Sequence, residues 1–497
     1  MRTNTPISLP RLLGPKGPVI CKAMRAARGY LQSNSPSSLL SHVGETIKEI
    51  PRAAHLDKRF IQKSYRGDVT RPPDDLLTGL GLFYITEQRK LFLDCTGGHY
   101  QMTWGYFHPE LEAAVREALG TGVVWDDHSN IPGNTVKRLS ERLVAIANGL
   151  TSAPARLIQD GNALNTVLLG VCTGSVAASS ALKIALKCHE ATRPKVEPVF
   201  IALNGNYHGT DFLAQRLRGM WPKYFKAAQF VQIEPNDSMA LRDAFNKYLG
   251  RVAAFFFEPI LMNREALLLK EDFVREARVL CDKSGSLMVV DEIQTGFWCP
   301  EVLMFRQYGI VPDIVVVGKG MTAGFHPLSA IIYKRRLDCL AQYDAISTNG
   351  GAPLAALVGL GCLALIVRDR KRIADLSRHY FQRLQEIPNT YPNLVSAIHG
   401  KGLLAGIKFR EVKDALTFHR RCVERGLWVR VHAYHEGHST VLTKLGLAAD
   451  KRIADFIVDT FLQVLGEFRR SAGPAWPALR PAGPAGPIAE FTSGGEK

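Results

Sequence analysis

The sequence has no long uninterrupted apolar run. A helix that crosses a bilayer needs about 18 or more consecutive apolar residues, and no stretch of the 497 residues approaches that length. We therefore expect a soluble protein with no membrane partner. The chain is long enough for a large core, divided into two domains or into one large domain and a smaller companion.

Paired cysteines are absent as well. The nine cysteines are scattered, odd in number, and form no C-x-x-C pair. This pattern argues against a disulfide framework and against a cysteine zinc site. We expect no bound metal and a reducing compartment, most simply the cytoplasm.

Acidic residues are missing from the first 44 residues, which carry six basic side chains. In composition this segment resembles an organellar transit peptide, although its prolines fit poorly with one amphipathic helix. We interpret residues 1–70 as a basic arm that is poorly ordered or partly helical, with a helix favoured near Lys22 to Leu31. Organellar targeting stays open as an alternative to the cytoplasm.

The basic charge as a whole does not indicate a nucleic-acid partner. Of the formal net charge of +16, the first 44 residues contribute +6. The remaining +10 is spread over the body of the chain, without a basic run interleaved with aromatic residues. We expect no nucleic-acid partner and a surface that attracts anionic metabolites.

Between its two ends, the chain alternates short apolar runs with longer helical patterns, which is typical of a parallel sheet built from βαβ units. We expect an α/β fold with a mainly parallel sheet, helices on both faces, and a smaller α+β domain. The large domain is predicted over residues 106–344, and the smaller one over 71–105 and 355–468. Residues 469–497, rich in Pro, Gly and Ala, are predicted to be a disordered tail.

Four predicted strands are each followed by side chains that can carry chemistry. In an open α/β sheet, ligands bind beyond the carboxyl ends of the strands. Four such coincidences in one sheet predict one site. The strands are PVFIAL before Tyr207 and His208, VAAFFF before Glu258, LMVV before Asp291, and IVVV before Gly318 and Lys319.

Lys319 raises the sharpest question. It follows a continuous apolar run, Ile314 to Val317, and lies between two glycines. Such a run predicts a fully buried strand, and lysine is rarely buried because its charge is costly to remove from water. Either Lys319 lies on a solvated turn, or its nitrogen is covalently engaged.

A fifth segment, LLGVCTGSVAASSALKIALKC, predicts a strand, a Thr-Gly-Ser turn and an alanine-rich helix. Gly174 permits close backbone approach, and the helix N-terminus offers free N–H groups to an anion. Ser175 is equally well explained as a helix cap, and the two roles are compatible.

A lysine, a carboxylate beyond a neighbouring strand, a flat aromatic side chain and a phosphate cup are together what pyridoxal phosphate requires. The lysine amine forms a Schiff base with the aldehyde. The acid pairs with the protonated pyridine nitrogen, which keeps the ring an effective electron sink. Once a substrate amine displaces it, the lysine can carry a proton, and a desolvated site would lower its pKa as a general base needs.

These motifs resemble those of the class III (omega) aminotransferases, a family of the fold-type I pyridoxal-phosphate-dependent enzymes. The resemblance covers roughly Leu91 to Leu465. Its most specific part is DEIQTGF followed by PDIVVVGKG. Four shorter motifs stand in the family's order: YHG, EP, STNGGAP and GKGLLAGI.

The resemblance implies a role for each matching residue. Lys319 would be the Schiff-base lysine, and Asp291 the partner of the pyridine nitrogen. The other matches would lie around the cofactor: Gln294 at the ring hydroxyl, Gly174 and Ser175 at the phosphate, Tyr207 stacked on the ring with His208 beside it, Glu258 as a substrate gate, and Thr348 at the phosphate of the neighbouring subunit. The role of Thr348 implies an obligate homodimer with a shared active site.

Each of these residues also has a plainer explanation when taken alone. Asp291 could be a helix cap, Tyr207 could be core packing, and Glu258 could be an ion-pair partner. The matching spacings of Lys319, Asp291 and Gln294 favour the functional roles.

Three positions depart from the family pattern. His399 stands where the family commonly has an arginine that binds the substrate α-carboxylate with bidentate geometry. A histidine, neutral or half charged near pH 7, would bind that group less well. Val176 replaces a glutamate after Gly-Ser, and Cys299-Pro300-Glu301 replaces Arg-Thr-Gly. The cofactor set is intact while the substrate set has changed.

Two further patterns lead to no site. HAYHEGH spaces His432, His435 and His438 three apart, which differs from the H-E-x-x-H pattern of zinc enzymes. GKGMTAG and GKGLLAG have three residues before the last glycine instead of two, so a nicotinamide cofactor is not expected.

We therefore expect a pyridoxal-phosphate-dependent aminotransferase. It would move an amino group from an amine or (omega-)amino acid to a 2-oxo acid or aldehyde. Two alternatives stay open: an aminomutase, racemase or decarboxylase that uses the same lysine, or a catalytically silent homodimeric interaction protein.

Overall fold

In a computed structural model of the chain, the described residues are 7–61, 75–123, 131–150, 158, 161–348, 350–432 and 437–469. The predicted C-terminal tail lies outside them apart from Arg469. Part of the predicted N-terminal arm, residues 1–6 and 62–70, also lies outside them.

The described residues form seventeen strands. In chain order they are β1 Leu76–Leu80, β2 Phe83–Thr86, β3 Leu91–Asp94, β4 Thr166–Leu168, β5 Val199–Leu203, β6 Gln229–Ile233, β7 Val252–Phe257, β8 Ile260–Leu261, β9 Leu267–Leu268, β10 Leu287–Asp291, β11 Ile314–Val317, β12 Ala330–Tyr333, β13 Val395–Lys401, β14 Leu404–Phe409, β15 Leu427–Trp428, β16 Arg430–His432 and β17 Thr440–Lys444.

The same residues form fifteen α-helical segments, of which four are only four or five residues long. They are α1 Leu9–Leu12, α2 Gly17–Ser33, α3 Pro36–Ser41, α4 Gly97–Tyr100, α5 Pro109–Gly120, α6 Asn134–Ala147, α7 Gly174–Thr192, α8 Phe212–Arg216, α9 Ser238–Lys247, α10 Glu271–Ser284, α11 Gln342–Ala345, α12 Pro353–Arg368, α13 Arg370–Thr390, α14 Val412–Glu424 and α15 Lys451–Gly466.

A seven-stranded sheet forms the centre, in the order β4-β12-β11-β10-β7-β5-β6. Its pairs from β11 through β10, β7 and β5 to β6 are all parallel. Only β12 runs against its neighbours, β11 and β4. Strands β5, β7, β10 and β11 are buried along their whole length, which explains why they read as continuous apolar runs.

Helices cover both faces of this sheet, because successive side chains of a strand point to opposite sides. On one face, Phe200, Ala254 and Val289 pack in one core cluster with the alanine-rich α7. On the other face, Ile201, Phe255 and Met288 pack in a second cluster with residues of α9 and α10. The predicted α/β architecture with a mainly parallel sheet is confirmed.

Two smaller sheets combine distant parts of the chain. The antiparallel sheet β13-β14-β17-β16 lies in the C-terminal part. Helices α13 and α14 pack against it, and α15 packs against these two helices. The other sheet has the order β1-β2-β3-β15. Its strand β15 pairs in parallel with β3, so that a strand from residues 427–428 extends a sheet whose other strands come from residues 76–94.

The described N-terminal segment is helical over most of residues 9–41 and has no helix from residue 42 to 61. Helix α2 spans Gly17–Ser33, somewhat longer than the helix favoured near Lys22 to Leu31. Its apolar side packs against β1, and the Arg28 guanidinium donates a hydrogen bond of 3.0 Å to the carbonyl oxygen of Gly79. Among the described residues, no helix is long and apolar enough to cross a membrane.

Candidate active site

The sheet order brings the predicted site residues to one edge. Strands β11, β10, β7 and β5 are consecutive neighbours, so the side chains that follow their carboxyl ends converge. A cavity of about 520 Å³ opens there. Six of the nine residues predicted from the sequence for this site line it: Gly174, Ser175, Tyr207, His208, Gln294 and Lys319. Two more, Asp291 and Glu258, bond directly to its lining.

Close packing explains why glycines flank Lys319. A Cβ on Gly318 would lie 2.6 Å from the Ser329 hydroxyl oxygen, and one on Gly320 would lie 2.6 Å from Cγ2 of Thr103. Lys319 itself has a left-handed backbone with φ 35°, a conformation that a non-glycine residue adopts only when its surroundings hold it. The turn therefore directs the lysine into the cavity at a cost in backbone strain.

The Lys319 amine is held between aromatic rings. Its Nζ lies 5.1 Å from the centre of the Tyr100 ring and 5.9 Å from that of Tyr207. Burial lowers the pKa of Lys319 to about 8, although the carboxylates of Asp291 and Glu258 act in the opposite direction. An amine with a pKa near neutrality is part of the time an unprotonated base, as proton transfer at a substrate carbon needs.

Asp291 forms a buried pair with His208. The Nδ1 atom of His208 lies 2.7 Å from one carboxylate oxygen of Asp291, and both side chains are almost fully buried. The other oxygen accepts a hydrogen bond of 2.9 Å from the Ile293 backbone N–H. Burial lowers the pKa of His208, but the hydrogen bond and charge of Asp291 outweigh it and raise that pKa overall. The two contacts fix the direction of the Asp291 carboxylate.

Glu258 acts behind the cavity wall. One of its oxygens accepts a hydrogen bond of 2.8 Å from the Tyr207 backbone N–H, and the other accepts one of 3.1 Å from Nε2 of Gln294. Gln294 also donates to Asn263, at 3.1 Å. Burial raises the pKa of Glu258 to about 7. Glu258 therefore positions two cavity residues and is not itself among the described residues that line the cavity.

The N-terminus of α7 forms a cradle with the loop after β5. Gly174 and Ser175 begin the helix and line the cavity, and the Ser175 hydroxyl accepts a hydrogen bond of 3.0 Å from the Thr210 backbone N–H. Gly209 has φ 122°, and a Cβ there would lie 2.5 Å from the Ser175 hydroxyl oxygen. Only glycine lets this loop approach the helix end, where free N–H groups can hold an anion.

Thr348 lies apart from these residues. It is exposed and is not among the described residues that line the cavity of its own chain. Its expected role at a neighbouring subunit stays a prediction.

Two acids of the most specific motifs are structural. Glu292, next to Asp291, is fully buried and accepts hydrogen bonds from the Thr295 hydroxyl and from the Phe305 backbone N–H. Asp313 is 1% exposed and pairs with Arg278 and Lys334, each at 2.9 Å. These acids shape the loops that present Asp291 and Lys319 without reaching the cavity.

The substrate-side departures fall outside the cavity. His399 lies on β13, and its Nδ1 is 2.9 Å from the carbonyl oxygen of Glu265. Cys299 is buried in a separate core cluster. Val176 lies in the first turn of α7 and packs against the core cluster on that face of the sheet. None of the three is among the described residues that line the cavity. Of the histidines in HAYHEGH, His432 lines the cavity, while His435 lies outside the described residues.

The sequence interpretation missed a turn that carries cavity residues. From Gly97 to Tyr100 the backbone is left-handed, with φ 65° at His99 and 73° at Tyr100. Asp94 holds this turn, because its two oxygens accept hydrogen bonds of 2.7 Å from the backbone N–H groups of Thr96 and Gly98. The pair of glycines in CTGGHY was a usable signal for a left-handed turn.

The sequence interpretation also missed Lys444, at the end of β17. This residue is fully buried, and its Nζ has no hydrogen-bond partner among the residues that the structure describes, but it lies 2.6 Å from the centre of the Tyr100 ring. Burial lowers the pKa of Lys444 well below its ordinary value, and the charges of Arg430 and Lys319 lower it further. Lys444 is therefore a buried amine that favours the neutral form.

Replacing Lys444 by methionine should raise thermal stability. The pKa of Lys444 is lower in the folded than in the unfolded state, so the unfolded chain binds more protons between the two values, and the contribution to stability rises with pH through that window. At neutral pH, removing this group should increase the free energy of unfolding by about 2–4 kcal/mol, and the gain should shrink towards pH 10. Thermal unfolding across this pH range measures it.

Lys334→Met is the matched control for that experiment. Lys334 is also buried, but its Nζ is paired with Asp313 at 2.9 Å. The control should destabilise the protein because it leaves a buried carboxylate with one partner fewer. Equal losses of stability in both variants would contradict our interpretation of Lys444.

Solved structures with this fold are aminotransferases. Ornithine aminotransferase from Toxoplasma gondii ME49 superposes with a TM-score of 0.70 and 23% identity, over 83% of this chain and 94% of that one. A Bacillus anthracis aminotransferase superposes with a TM-score of 0.69 and 22% identity, over 81% of this chain and 96% of that one. Together with the sheet topology, these likenesses define the fold as that of the fold-type I pyridoxal-phosphate-dependent enzymes.

The family follows from the sequence match. The model of the aminotransferase class-III family matches residues 76–464, and the chain belongs to that family. Acetylornithine aminotransferase of Agrobacterium fabrum is 29% identical over 361 residues, 68% of this chain and 82% of that protein. Ornithine aminotransferase of Emericella nidulans is 27% identical over 340 residues, 65% of this chain and 70% of that protein.

The predicted activity and cofactor are thereby confirmed: the protein is a class III transaminase that depends on pyridoxal phosphate. The alternatives of an aminomutase, racemase or decarboxylase, and of a silent interaction protein, are not favoured.

The cavity residues fit this cofactor. The Lys319 amine faces the cavity and makes no hydrogen bond or ion pair with another described residue. The cradle of Gly174, Ser175 and Gly209 leaves the first backbone N–H groups of α7 open to a phosphate. The Nε2 atom of His208 is buried and has no hydrogen-bond partner in the part of the chain that the structure describes. The Lys319 amine, the N-terminus of α7 and the His208 imidazole therefore line the same cavity.

Proposed function

We propose that the protein moves an amino group from an amine or omega-amino acid to a 2-oxo acid or aldehyde, with Lys319 and Asp291 as its catalytic residues. The observation that carries this proposal is the unpartnered Lys319 amine, with a pKa of about 8, at the sheet edge where Asp291 ends β10. The relatives are named for substrates with an amino group remote from the α-carbon, ornithine and putrescine among them.

Bound pyridoxal phosphate supplies an aldehyde that bonds amines and a ring that withdraws electrons from the substrate carbon. The protein's own residues do the remaining work. Lys319 holds and moves a proton at Nζ, and its lowered pKa lets it act as base and then as acid. Asp291 pairs with His208, and its carboxylate would hold the proton on the ring nitrogen.

The other residues would hold the cofactor in place. Gly174 and Ser175 would bind the phosphate at the α7 N-terminus, and Tyr207 would stack on the ring. Gln294 would meet the ring hydroxyl with its amide oxygen, because its Nε2 donates to Glu258 and Asn263. Tyr100 and Tyr207 flank the amine and exclude water from it.

We further propose a homodimer with a shared active site. Thr348 is exposed and is not among the described residues that line the cavity of its own chain. It follows a segment with the exposed side chains of Tyr343 and Ile346. Phe325, between two residues that line the cavity, is 42% exposed. Exposed apolar side chains beside a cavity suit a subunit interface. A monomeric mass in solution would contradict the dimer.

A cytoplasmic location is also proposed. All nine cysteines are free, and six of them are buried, which is typical of a reducing compartment. Cell fractionation that recovers the protein inside an organelle would favour the targeting alternative.

A transaminase should stop after one turnover when it has a donor but no acceptor. We expect the purified protein, with cofactor bound, to convert one equivalent of L-ornithine or putrescine per active site and then stop, because the amino group stays on the enzyme. Addition of a 2-oxo acid should restart turnover. Quantification of the aldehyde product measures both phases, and continued turnover without an acceptor would contradict the proposal.

A further inference from the structure

Arg218 lies beside the cavity on the loop that follows α8, and no sequence motif indicated it. Its guanidinium carbon, Cζ, lies over the Tyr207 ring, 5.3 Å from the ring centre. Tyr207 lines the cavity, whereas Arg218 is not among the described residues that do so. The guanidinium therefore meets the ring from outside the cavity.

The Tyr207 ring is the contact that explains Arg218. This arginine is half-buried, and within the described ranges its side chain makes no hydrogen bond and no ion pair. Arg216, two residues earlier, differs, because its Nη1 donates a hydrogen bond of 2.6 Å to the carbonyl oxygen of Met220. A guanidinium over a tyrosine ring is attracted by the negative charge of the ring face.

The main chain holds the two side chains next to each other. Asn206 directly precedes Tyr207, and its buried Nδ2 donates a hydrogen bond of 2.8 Å to the carbonyl oxygen of Leu217. Gln232 on β6 donates to the same oxygen at 3.0 Å, and Leu217 directly precedes Arg218. The guanidinium therefore reaches the ring from a backbone position that two amide side chains anchor.

The backbone of Tyr207 is fixed by a hydrogen bond, but its ring is not. The backbone N–H donates a hydrogen bond of 2.8 Å to Glu258, whereas the hydroxyl group makes none with another described residue. The plane of the ring therefore depends on the groups that pack against it. Of the described cations, Arg218 lies 5.3 Å and the Lys319 amine 5.9 Å from the ring centre. Lys319 is committed to the cofactor, which leaves Arg218 to hold the ring.

The charge of Arg218 also reaches His208, the neighbour of Tyr207. Burial lowers the pKa of His208, the hydrogen bond and charge of Asp291 and the charge of Glu258 raise it, and the charge of Arg218 lowers it. The pKa is raised overall. Arg218 is therefore close enough to the cavity wall for its charge to be measured there.

We propose that Arg218 is a positioning residue whose guanidinium holds the Tyr207 ring in the plane against which the cofactor ring lies, and that the protein binds its cofactor more tightly as a result. This inference rests on the proposed stacking role of Tyr207. A ring whose plane is already set loses less conformational freedom when a second ring stacks on it, so that less of the stacking energy is offset.

The test measures the affinity of the full-length protein, freed of cofactor, for pyridoxamine phosphate. This form of the cofactor has no aldehyde, so its affinity reports packing and not the bond to Lys319. Isothermal titration calorimetry should show that Arg218→Met binds it about 2–5-fold more weakly than the wild type. Arg218→Lys should restore most of the affinity. Lys223→Met removes an exposed charge from the same loop and should leave the affinity unchanged.

A double-mutant cycle with Tyr207→Leu shows whether Arg218 acts through the ring. In the Tyr207→Leu background, Arg218→Met should have no further effect, because the ring on which the guanidinium acts is gone. Independent losses that add up would assign Arg218 a direct contact with the cofactor and overturn the proposal. An unchanged affinity in Arg218→Met alone would overturn it as well.

NMR titration of His208 in the same cofactor-free proteins supplies a readout that does not depend on the cofactor. The pKa of His208 should rise in Arg218→Met, because the charge that opposes its protonation is lost, and should stay near the wild-type value in Lys223→Met. A loosened structure would have the opposite effect, since an exposed histidine has a lower pKa than His208 in the fold. An unchanged or lowered pKa in Arg218→Met would contradict the proposed position of the guanidinium.

The proposed function and the inference about Arg218 fail in different ways. If Tyr207→Leu alone keeps the wild-type affinity for pyridoxamine phosphate, the stacking role of Tyr207 is wrong and the inference about Arg218 fails with it. If Tyr207→Leu weakens binding and Arg218→Met does not, the stacking role stands and only the inference about Arg218 is wrong.

Discussion

Replacement of Lys319 by alanine is expected to abolish turnover and the covalent attachment of the cofactor together. The variant loses the amine that bonds the aldehyde and the group that moves the proton, so activity should fall by about 10⁴-fold or more. The protein should still fold, since removal of a strained and half-buried lysine leaves no buried acid without its partner: Asp291 keeps His208, and Glu258 keeps Gln294. Borohydride reduction followed by peptide mass mapping, with steady-state rates, measures both losses.

Two controls make the Lys319 result specific. Lys371→Ala, on the exposed side of α13, should keep full activity and the reducible attachment at Lys319. Added methylamine should restore part of the activity of Lys319→Ala, because a small amine can occupy the vacated space and carry the proton. A reduced cofactor adduct at another lysine in the wild-type protein would show that the catalytic amine has been misassigned.

The second large effect is expected from Asp291→Asn. This change keeps the shape of the side chain but removes the charge that holds the ring nitrogen protonated and pairs with His208 at 2.7 Å. We expect kcat to fall by about 10³-fold, the size of effect seen when a preorganised charge is removed from an active site. The pKa of His208 should fall as well, because the charge that raises it is lost. Steady-state kinetics, together with NMR titration of the histidines, measures the two effects.

Asp313→Asn is the matched control for Asp291→Asn. Both acids are buried and belong to the same pair of recognised motifs, but Asp313 pairs with Arg278, Lys334 and Arg336 at 2.9 Å each. Its loss should lower the free energy of unfolding by about 3–5 kcal/mol and leave the rate per folded molecule near that of the wild type. Equal losses of activity per folded molecule in both variants would contradict the separation of catalytic from structural acids.

Much of the site could be predicted because it depends on local patterns. A fully buried parallel strand requires a continuous apolar run, and its end requires a break in that run, so the positions of Glu258, Asp291 and Lys319 were visible in the sequence. The Gly-Ser turn before an alanine-rich helix was visible for the same reason. The family resemblance then supplied roles that composition and spacing alone could not.

Other parts of the site could not be predicted, because they depend on contacts between distant residues. Arg430 and His99 are 331 positions apart in the chain, and no periodicity relates them. Lys444 is the last residue of β17, and nothing in the sequence of that strand indicates that its final lysine is buried beside the cavity. The predicted importance of His399 rested on its position in a motif. Only the structure shows that its Nδ1 contacts the carbonyl oxygen of Glu265 and that the residue is not among the described residues that line the cavity.

The sequence by itself determined the sheet and the strand ends that carry polar groups, because strands buried on both faces require continuous apolar runs. It also determined the cofactor, because the lysine and the acid that the cofactor needs follow two of these runs directly. The tertiary structure alone decided which acid bonds to the cavity lining and which basic side chains line the cavity. Asp291 and Glu292 are adjacent, and successive side chains at a strand end point to opposite sides, so one faces the cofactor space and the other the core. Arg430 belongs to β16 of the smaller antiparallel sheet, and only the tertiary structure brings it to the cavity that Lys319 also lines.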